Sequence, residues 1–96
     1  MKALRRTWSR LRRRKPADEP FPSDDEVAAA SRRYPGMTMN ERLWEAGLMD
    51  EWEAAAAARD RDRMLLICAR VGIADGPTGR SWIVDTVLAN PARYGF

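Results

Sequence analysis

The chain has 96 residues, so it holds one small domain at most, and a domain of this size buries only about 60–65% of the surface of its unfolded chain. Such a core leaves little room for an enclosed active site. Residues 1–15 hold eight Lys and Arg and no acid, residues 16–31 hold five acids and no base, and residues 32–96 hold nine of each, for a net charge of +3. The basicity belongs to the first fifteen residues, which argues against a nucleic-acid surface across the whole domain.

The single cysteine, Cys68, excludes an intrachain disulfide and fits a reducing compartment. No apolar run approaches the roughly 18–20 residues that a membrane-spanning helix needs. The basic start lacks the apolar stretch of a secretory or twin-arginine signal. These features predict a protein that is neither secreted nor transmembrane, located in the cytoplasm or at the periphery of a membrane.

Residues 1–15, "MKALRRTWSRLRRRK", form a basic amphipathic arm. Met1, Leu4, Trp8 and Leu11 share one face of a helix, which we expect to form only on a partner because so short a helix is marginal in water. Contact with nucleic-acid phosphates and insertion into an anionic lipid interface both fit this pattern, and Trp8 favours the lipid. An organellar transit peptide or a disordered solubilising tail would have a similar composition. The candidate residues for an anionic partner are Arg5, Arg6, Trp8, Arg10, Arg12, Arg13, Arg14 and Lys15.

Residues 16–36 read as an acidic, flexible linker, with three prolines in its first seven residues, Pro16, Pro20 and Pro22. Ser23 followed by Glu26 has the spacing of a capping box and predicts a short helix over about 24–33. Its one large apolar residue is Val27, which leaves open whether this helix docks on a core.

The helical domain is predicted over residues 37–96 and opens with a second capping box, Thr38 and Glu41. An apolar stripe follows at helical spacing and predicts one helix over 40–58, kinked at Gly47, in preference to two helices that break there. The stripe consists of Trp44, Leu48, Trp52 and Ala55.

Asp60 or Asp62 is expected to cap the next helix, and Gly72 is expected to end it in a left-handed conformation. Its core face is formed by Met64, Leu65, Ile67, Cys68 and Val71, while Leu66 is expected to point the opposite way.

Thr78 or Ser81 is expected to cap a last helix, which ends at Asn90-Pro91. Its core face consists of Ile83, Val84, Val87 and Leu88. Tyr94 and Phe96 are expected to fold back and close the bundle. The pattern as a whole predicts an all-α fold, a small three- to four-helix bundle preceded by the basic arm and the linker.

The stretches "NERLWEAGLMDEW", "RDRDRM" and "DTVLANPARYGF" resemble a family of small bacterial proteins that read Asn-Glu-Arg-Leu-aromatic near the start and Asn-Pro-x-x-Tyr-Gly near the end. The resemblance covers about residues 39–96 and implies a helical fold without implying an activity. It also raises the alternative that translation starts at Met37 or Met39, in which case residues 1–36 do not belong to the protein.

Catalysis is not favoured, because histidine is absent and no phosphate-binding glycine loop is present. Cys68 falls on a core face, and the acidic residues have the pattern of helix caps and surface charges. We therefore predict a protein that is not an enzyme and that uses no metal, cofactor or small-molecule substrate.

The leading hypothesis is a helical module that binds a protein partner or itself, with Leu66 and Trp82 as interface candidates because both project from the core faces of their helices. Packing at the rim of the core is the alternative for these two residues. The runner-up function is binding of an anionic surface through the arm.

Overall fold

The computed structural model describes residues 19–96, and within that range it contains five α-helices, one final 3-10 helix and no strand. The helices are α1 (Asp24–Arg32), α2 (Met39–Ala46), α3 (Met49–Ala57), α4 (Arg61–Arg70) and α5 (Arg80–Ala89), followed by the 3-10 helix Pro91–Tyr94. The all-α prediction is confirmed, with four of the five α-helices between residues 37 and 96. The basic arm lies outside the described residues.

Helix α4 is the centre of the bundle and packs against α1, α3 and α5. Three of its residues, Met64, Ile67 and Cys68, and its C-cap residue Val71 are fully buried, as predicted, while Leu65 is partly buried. The main core is completed by Leu43, Trp52, Ala55, Ala56, Val84 and Val87 from the neighbouring helices. The alanines of α3 carry small side chains, which lets α3 and α4 approach closely.

Helix α1 begins at a capping box and packs against α4 through its buried apolar residues. The Ser23 hydroxyl accepts from the Glu26 amide at 3.2 Å, and the Glu26 carboxylate accepts from the Ser23 amide at 3.0 Å, so the predicted capping box is confirmed. These hydrogen bonds lower the pKa of Glu26. Val27 and Ala30 are 3% exposed and lie on the side that packs against α4. The question that the sequence left open is thereby answered: the helix docks.

A single helix over 40–58 is wrong, because the chain breaks at Gly47. Gly47 has φ +72°, a left-handed conformation that L side chains rarely adopt, and it ends α2, while the Leu48 amide donates to the Leu43 carbonyl at 2.9 Å. Helix α3 then starts at Met49 in a new direction. Trp44 and Trp52 therefore do not share a face: Trp44 is 75% exposed and Trp52 only 6% exposed.

Leu66 lies outside the main core cluster, as predicted, but it is only 3% exposed, so its predicted place on the surface is wrong. Leu66 and Ala69 are buried on a side of α4 that does not belong to the main core cluster. Helix α1 packs against α4 and supplies Val27 and Ala30, the other buried residues outside that cluster. We infer that α1 covers Leu66, so this residue is removed from the interface candidates.

Only some of the capping residues that the sequence predicted for α4 and α5 are observed. Asp60 caps α4 by accepting from the Arg63 amide at 3.1 Å, and Gly72 follows it with φ +82°, both as predicted. Helix α5 instead starts at Arg80, with Gly79 in the N-cap position and no side-chain cap, so the prediction of Thr78 or Ser81 is wrong. Asp75 supplies the acceptor from the preceding loop, taking hydrogen bonds from the Ser81 amide at 3.4 Å and the Ser81 hydroxyl at 3.2 Å.

The C-terminal tail folds back as predicted for one of its two aromatic residues. Phe96 is partly buried against the main core, and its amide donates to the Pro91 carbonyl at 2.9 Å. Tyr94 remains 42% exposed, so its side chain contributes less to closing the bundle than the sequence suggested.

Candidate protein-binding surface

The acidic segment before α1 is fastened to α4 by Glu19, a residue that the sequence analysis did not single out. One carboxylate oxygen of Glu19 accepts from Arg63 and the other from Arg70, both at 2.7 Å. Arg63 and Arg70 are two turns apart on α4, and Leu66 lies between them. The Glu19 side chain is only 7% exposed, so its charge is shielded from water and neutralised by two guanidinium groups.

A second contact holds the same segment. The Arg80 guanidinium lies 5.0 Å from the centre of the Phe21 ring, a cation–π distance. Residues 19–32 thus contact α4 and the start of α5. They are packed on the helical domain.

We expect Glu19→Gln to lower the free energy of unfolding by about 2 kcal/mol, because it removes one partner of a largely buried ion pair and leaves Arg63 and Arg70 without their shared carboxylate. The figure lies below the usual cost for a fully buried pair because Arg70 is 39% exposed and Arg63 keeps Glu51 at 3.0 Å. Urea unfolding of the full chain measures the loss.

The matched control for Glu19→Gln is Asp85→Asn, which removes a similar bidentate pair with Arg61. That pair is 47% and 57% exposed, so solvent screens it and its removal should change stability little. Equal effects of the two variants would contradict an anchoring role for Glu19.

Arginine side chains in the described domain mostly serve its own structure. Of the nine arginines in residues 19–96, six donate hydrogen bonds to protein groups, namely Arg42, Arg59, Arg61, Arg63, Arg70 and Arg80. Arg42 is an example: it donates to the Val71 carbonyl at 3.0 Å and to the Gly72 carbonyl at 3.3 Å, two buried residues that directly follow α4. These six guanidinium groups are therefore hydrogen-bonded within the chain itself.

The most exposed large apolar side chain among residues 19–96 is Trp44, on α2. Together with Met37 and Met49 it lines an open depression of about 420 Å³, whose remaining lining residues are Asn40, Glu41 and Glu45. We call this surface the Trp44 face. Its centre is one large aromatic ring and two flexible thioether side chains, and its edge is acidic.

The lining of the Trp44 face contains two acids, Glu41 and Glu45, and no base, while Glu51 of the following helix is paired with Arg63. Residues 19–96 hold thirteen acids and nine arginines, a net charge of −4. Residues 37–57, which include α2 and α3, hold five acids and one base, which is also −4, so the rest of the described domain is balanced. The one base is Arg42, which binds the α4 carbonyls. The Thr38 amide and hydroxyl, hydrogen-bonded to Glu41, lower the pKa of that carboxyl, which keeps it charged.

Trp82, the other predicted interface candidate, is on the surface of α5 and is 54% exposed. Its exposure agrees with the prediction, while an interface role stays a prediction. Asp85, one turn further along α5, is paired with Arg61, and this hydrogen bond lowers the pKa of Asp85. The arm candidates from Arg5 to Lys15 lie outside the described residues.

A second depression, of about 640 Å³, lies between α1 and the loop that precedes α5. Its charged lining residues are Asp24, Arg32, Asp75 and Arg80, two of each sign. Arg80 already donates to the Ile73 carbonyl and Asp75 already accepts from Ser81. This groove offers no concentration of one charge and no buried polar atom that lacks a partner.

Chemistry at Cys68 is hindered by its position in the core. Burial raises the pKa of its thiol to about 12, so the thiolate is scarce near neutral pH. In the described part of the chain, no three His, Cys, Asp or Glu side chains are grouped so that they could hold a metal ion. No helix between residues 19 and 96 is long and apolar enough to cross a membrane.

No family model, no curated protein and no solved structure matches this chain. The resemblance to the small bacterial family stays a prediction.

Proposed function

We propose that this chain is a non-enzymatic protein–protein interaction module that binds its partner through the Trp44 face. The observation that carries the proposal is the 75% exposure of Trp44 in a depression that also contains Met37 and Met49. The partner's matching surface combines apolar side chains with Lys or Arg, because the edge of the face carries Glu41 and Glu45.

The physical support is the free energy that such a residue makes available on binding. Tryptophan carries up to about 250 Å² of surface and is among the residues that dominate binding energy when a partner covers them. In the unbound chain that surface faces water and contributes little to folding. Methionine side chains adapt their shape to a partner because they have three rotatable bonds and a polarisable sulfur.

The charge distribution separates this proposal from the runner-up. Residues 19–96 carry a net charge of −4, which repels nucleic-acid phosphates and anionic lipid headgroups. Binding of an anionic surface therefore rests on residues 1–15 alone. The acidic residues around Trp44 favour a basic protein segment instead.

Photocrosslinking tests the proposal. A benzoylphenylalanine at position 44 of the full chain, expressed from its own gene in its own organism, is expected to form one main adduct with another protein. The same group at position 82 is the matched control, because Trp82 is also exposed but lies on α5. An absence of any adduct specific to position 44 would refute the proposal.

The crosslinked partner, once identified and purified, provides a quantitative check. We expect Trp44→Ala in the full chain to weaken its binding about thirtyfold, which corresponds to about 2 kcal/mol for an anchor residue at the centre of an interface. Glu45→Lys is expected to weaken it too, by reversing a charge next to the anchor. Unchanged affinity in Trp44→Ala would mean that the contact is incidental.

A further inference from the structure

We propose that the basic arm of the same chain, residues 1–15, docks on the Trp44 face and occupies it until a partner displaces it. This inference rests on the proposed function, because it assigns a regulator to the same surface. The charge and the apolar pattern of the arm follow from its sequence, and the exposure and lining residues of the face follow from the structure.

The two surfaces are complementary in charge and in apolar character. The arm carries eight positive charges and no acid, and the lining of the Trp44 face carries two acids, Glu41 and Glu45, and no base. In a helix, Met1, Leu4, Trp8 and Leu11 would form one apolar stripe, with the basic residues around the remaining circumference. A basic amphipathic helix lying across an apolar depression with an acidic edge is a recurrent mode of peptide recognition.

The length of the connecting chain limits where the arm can dock within one molecule. Trp8 lies eleven positions before Glu19, so fully extended chain would carry it roughly 36 Å from Glu19, and with residues 8–15 helical at about 1.5 Å per residue the reach is about 24 Å. The principal extents of the molecule are 46 × 32 × 24 Å, so docking within one molecule requires the Trp44 face to lie within that reach of Glu19. Attachment also raises the effective concentration of the arm to the order of mM, so even a weak contact would be populated.

The anchoring of Glu19 makes this docking more specific. Because Glu19 is fixed on α4 by Arg63 and Arg70, the acidic group nearest to the arm among the described residues is already neutralised. The adjoining acids Asp24 and Asp25 lie in the first turn of α1, where the positive end of the helix dipole offsets their charge. The Trp44 face competes for the arm through Glu45 and Glu41, of which Glu41 also lies in the first turn of its helix, together with the apolar depression that they border.

Fluorine NMR of the full chain, labelled with 5-fluorotryptophan, tests the inference. The chain has four tryptophans, and single Trp→Phe variants assign their resonances. The test variant changes Arg10, Arg12, Arg13 and Arg14 to Gln. We expect the Trp8 and Trp44 resonances to move by more than a linewidth in this variant and at high salt, and the Trp82 resonance to stay in place. The control variant changes Arg32 and Arg33 to Gln, outside the arm, and should leave Trp44 unchanged.

Three results would overturn the inference. A Trp44 resonance that is identical with and without the arm charges would show that the arm does not dock there. A shift of Trp44 that disappears on dilution would place the arm of a second copy on the face. A shift of Trp82 alone would place the arm elsewhere.

Failure of this inference is distinguishable from failure of the proposed function. If the arm does not dock, the foreign adduct at position 44 should still form. If the face binds no partner, that adduct should be missing even in the arm-neutralised variant, where nothing blocks the face.

Discussion

Replacing Trp52 with Ala is expected to lower the free energy of unfolding by about 3–5 kcal/mol, whereas Trp44→Ala is expected to cost less than about 0.5 kcal/mol. The two residues have the same type and lie eight positions apart, a spacing that one continuous helix would place on nearly the same face. The difference comes from Gly47, which separates α2 from α3 and leaves Trp52 in the core and Trp44 in water.

Urea unfolding followed by far-UV circular dichroism measures both variants, because the fluorescence signal itself changes when a tryptophan is removed. The curves should have similar slopes, so that the midpoints report stability. Comparable losses for the two variants would contradict the break at Gly47 and would restore the single core stripe that the spacing suggested.

The starts of α1, α2 and α4 were predictable because their signals are local, whereas those of α3 and α5, which have no side-chain cap, were not. Ser23 with Glu26 and Thr38 with Glu41 each need only three residues of sequence to form a capping box, and both boxes form. Asp60 acts over the same range. The all-α class followed for the same reason, since helical spacing is a property of short segments.

At Gly47 the local sequence did not predict the break between α2 and α3. A glycine inside an apolar stripe is compatible with a kink that keeps the stripe and with a break that redirects it. The choice depends on how Leu43 and Trp52 each reach the core, and that is a property of the folded bundle. Trp44 moved from the predicted core to the candidate site as a direct consequence.

The burial of Leu66 and the contacts of Glu19 depend on partners distant in sequence. Leu66 lies outside the main core cluster, and we infer that the packing of α1 against α4 removes it from water. Glu19 meets Arg63 and Arg70, which are 44 and 51 residues away along the chain. Spacing rules predict neither contact, although the acid-only composition of residues 16–31 signalled a segment that needs basic partners.

The docking of α1 yields the second large effect that we expect, at Gly72. This residue has φ +82°, and a Cβ atom built on it would lie 2.5 Å from Cα of Ser31 and still closer to the Ser31 backbone nitrogen. Since backbone atoms of a packed helix cannot move aside cheaply, Gly72→Ala combines an unfavourable left-handed conformation with overpacking. We expect a loss of about 3 kcal/mol in the free energy of unfolding, measured by urea unfolding of the full chain.

Gly47→Ala separates the two causes of that loss. Gly47 has a similar φ, +72°, but a Cβ atom there would meet nothing within 4 Å, so its variant should bear only the conformational cost of about 1 kcal/mol. The difference between the two variants measures how tightly α1 is seated on the end of α4. Hydrogen exchange of the Val27 and Ala30 amides should accelerate in Gly72→Ala and stay slow in Gly47→Ala. Equal losses, with α1 equally protected, would mean that Ser31 does not lie against Gly72 and that residues 19–32 are held by their other contacts, those of Glu19, Phe21 and Val27.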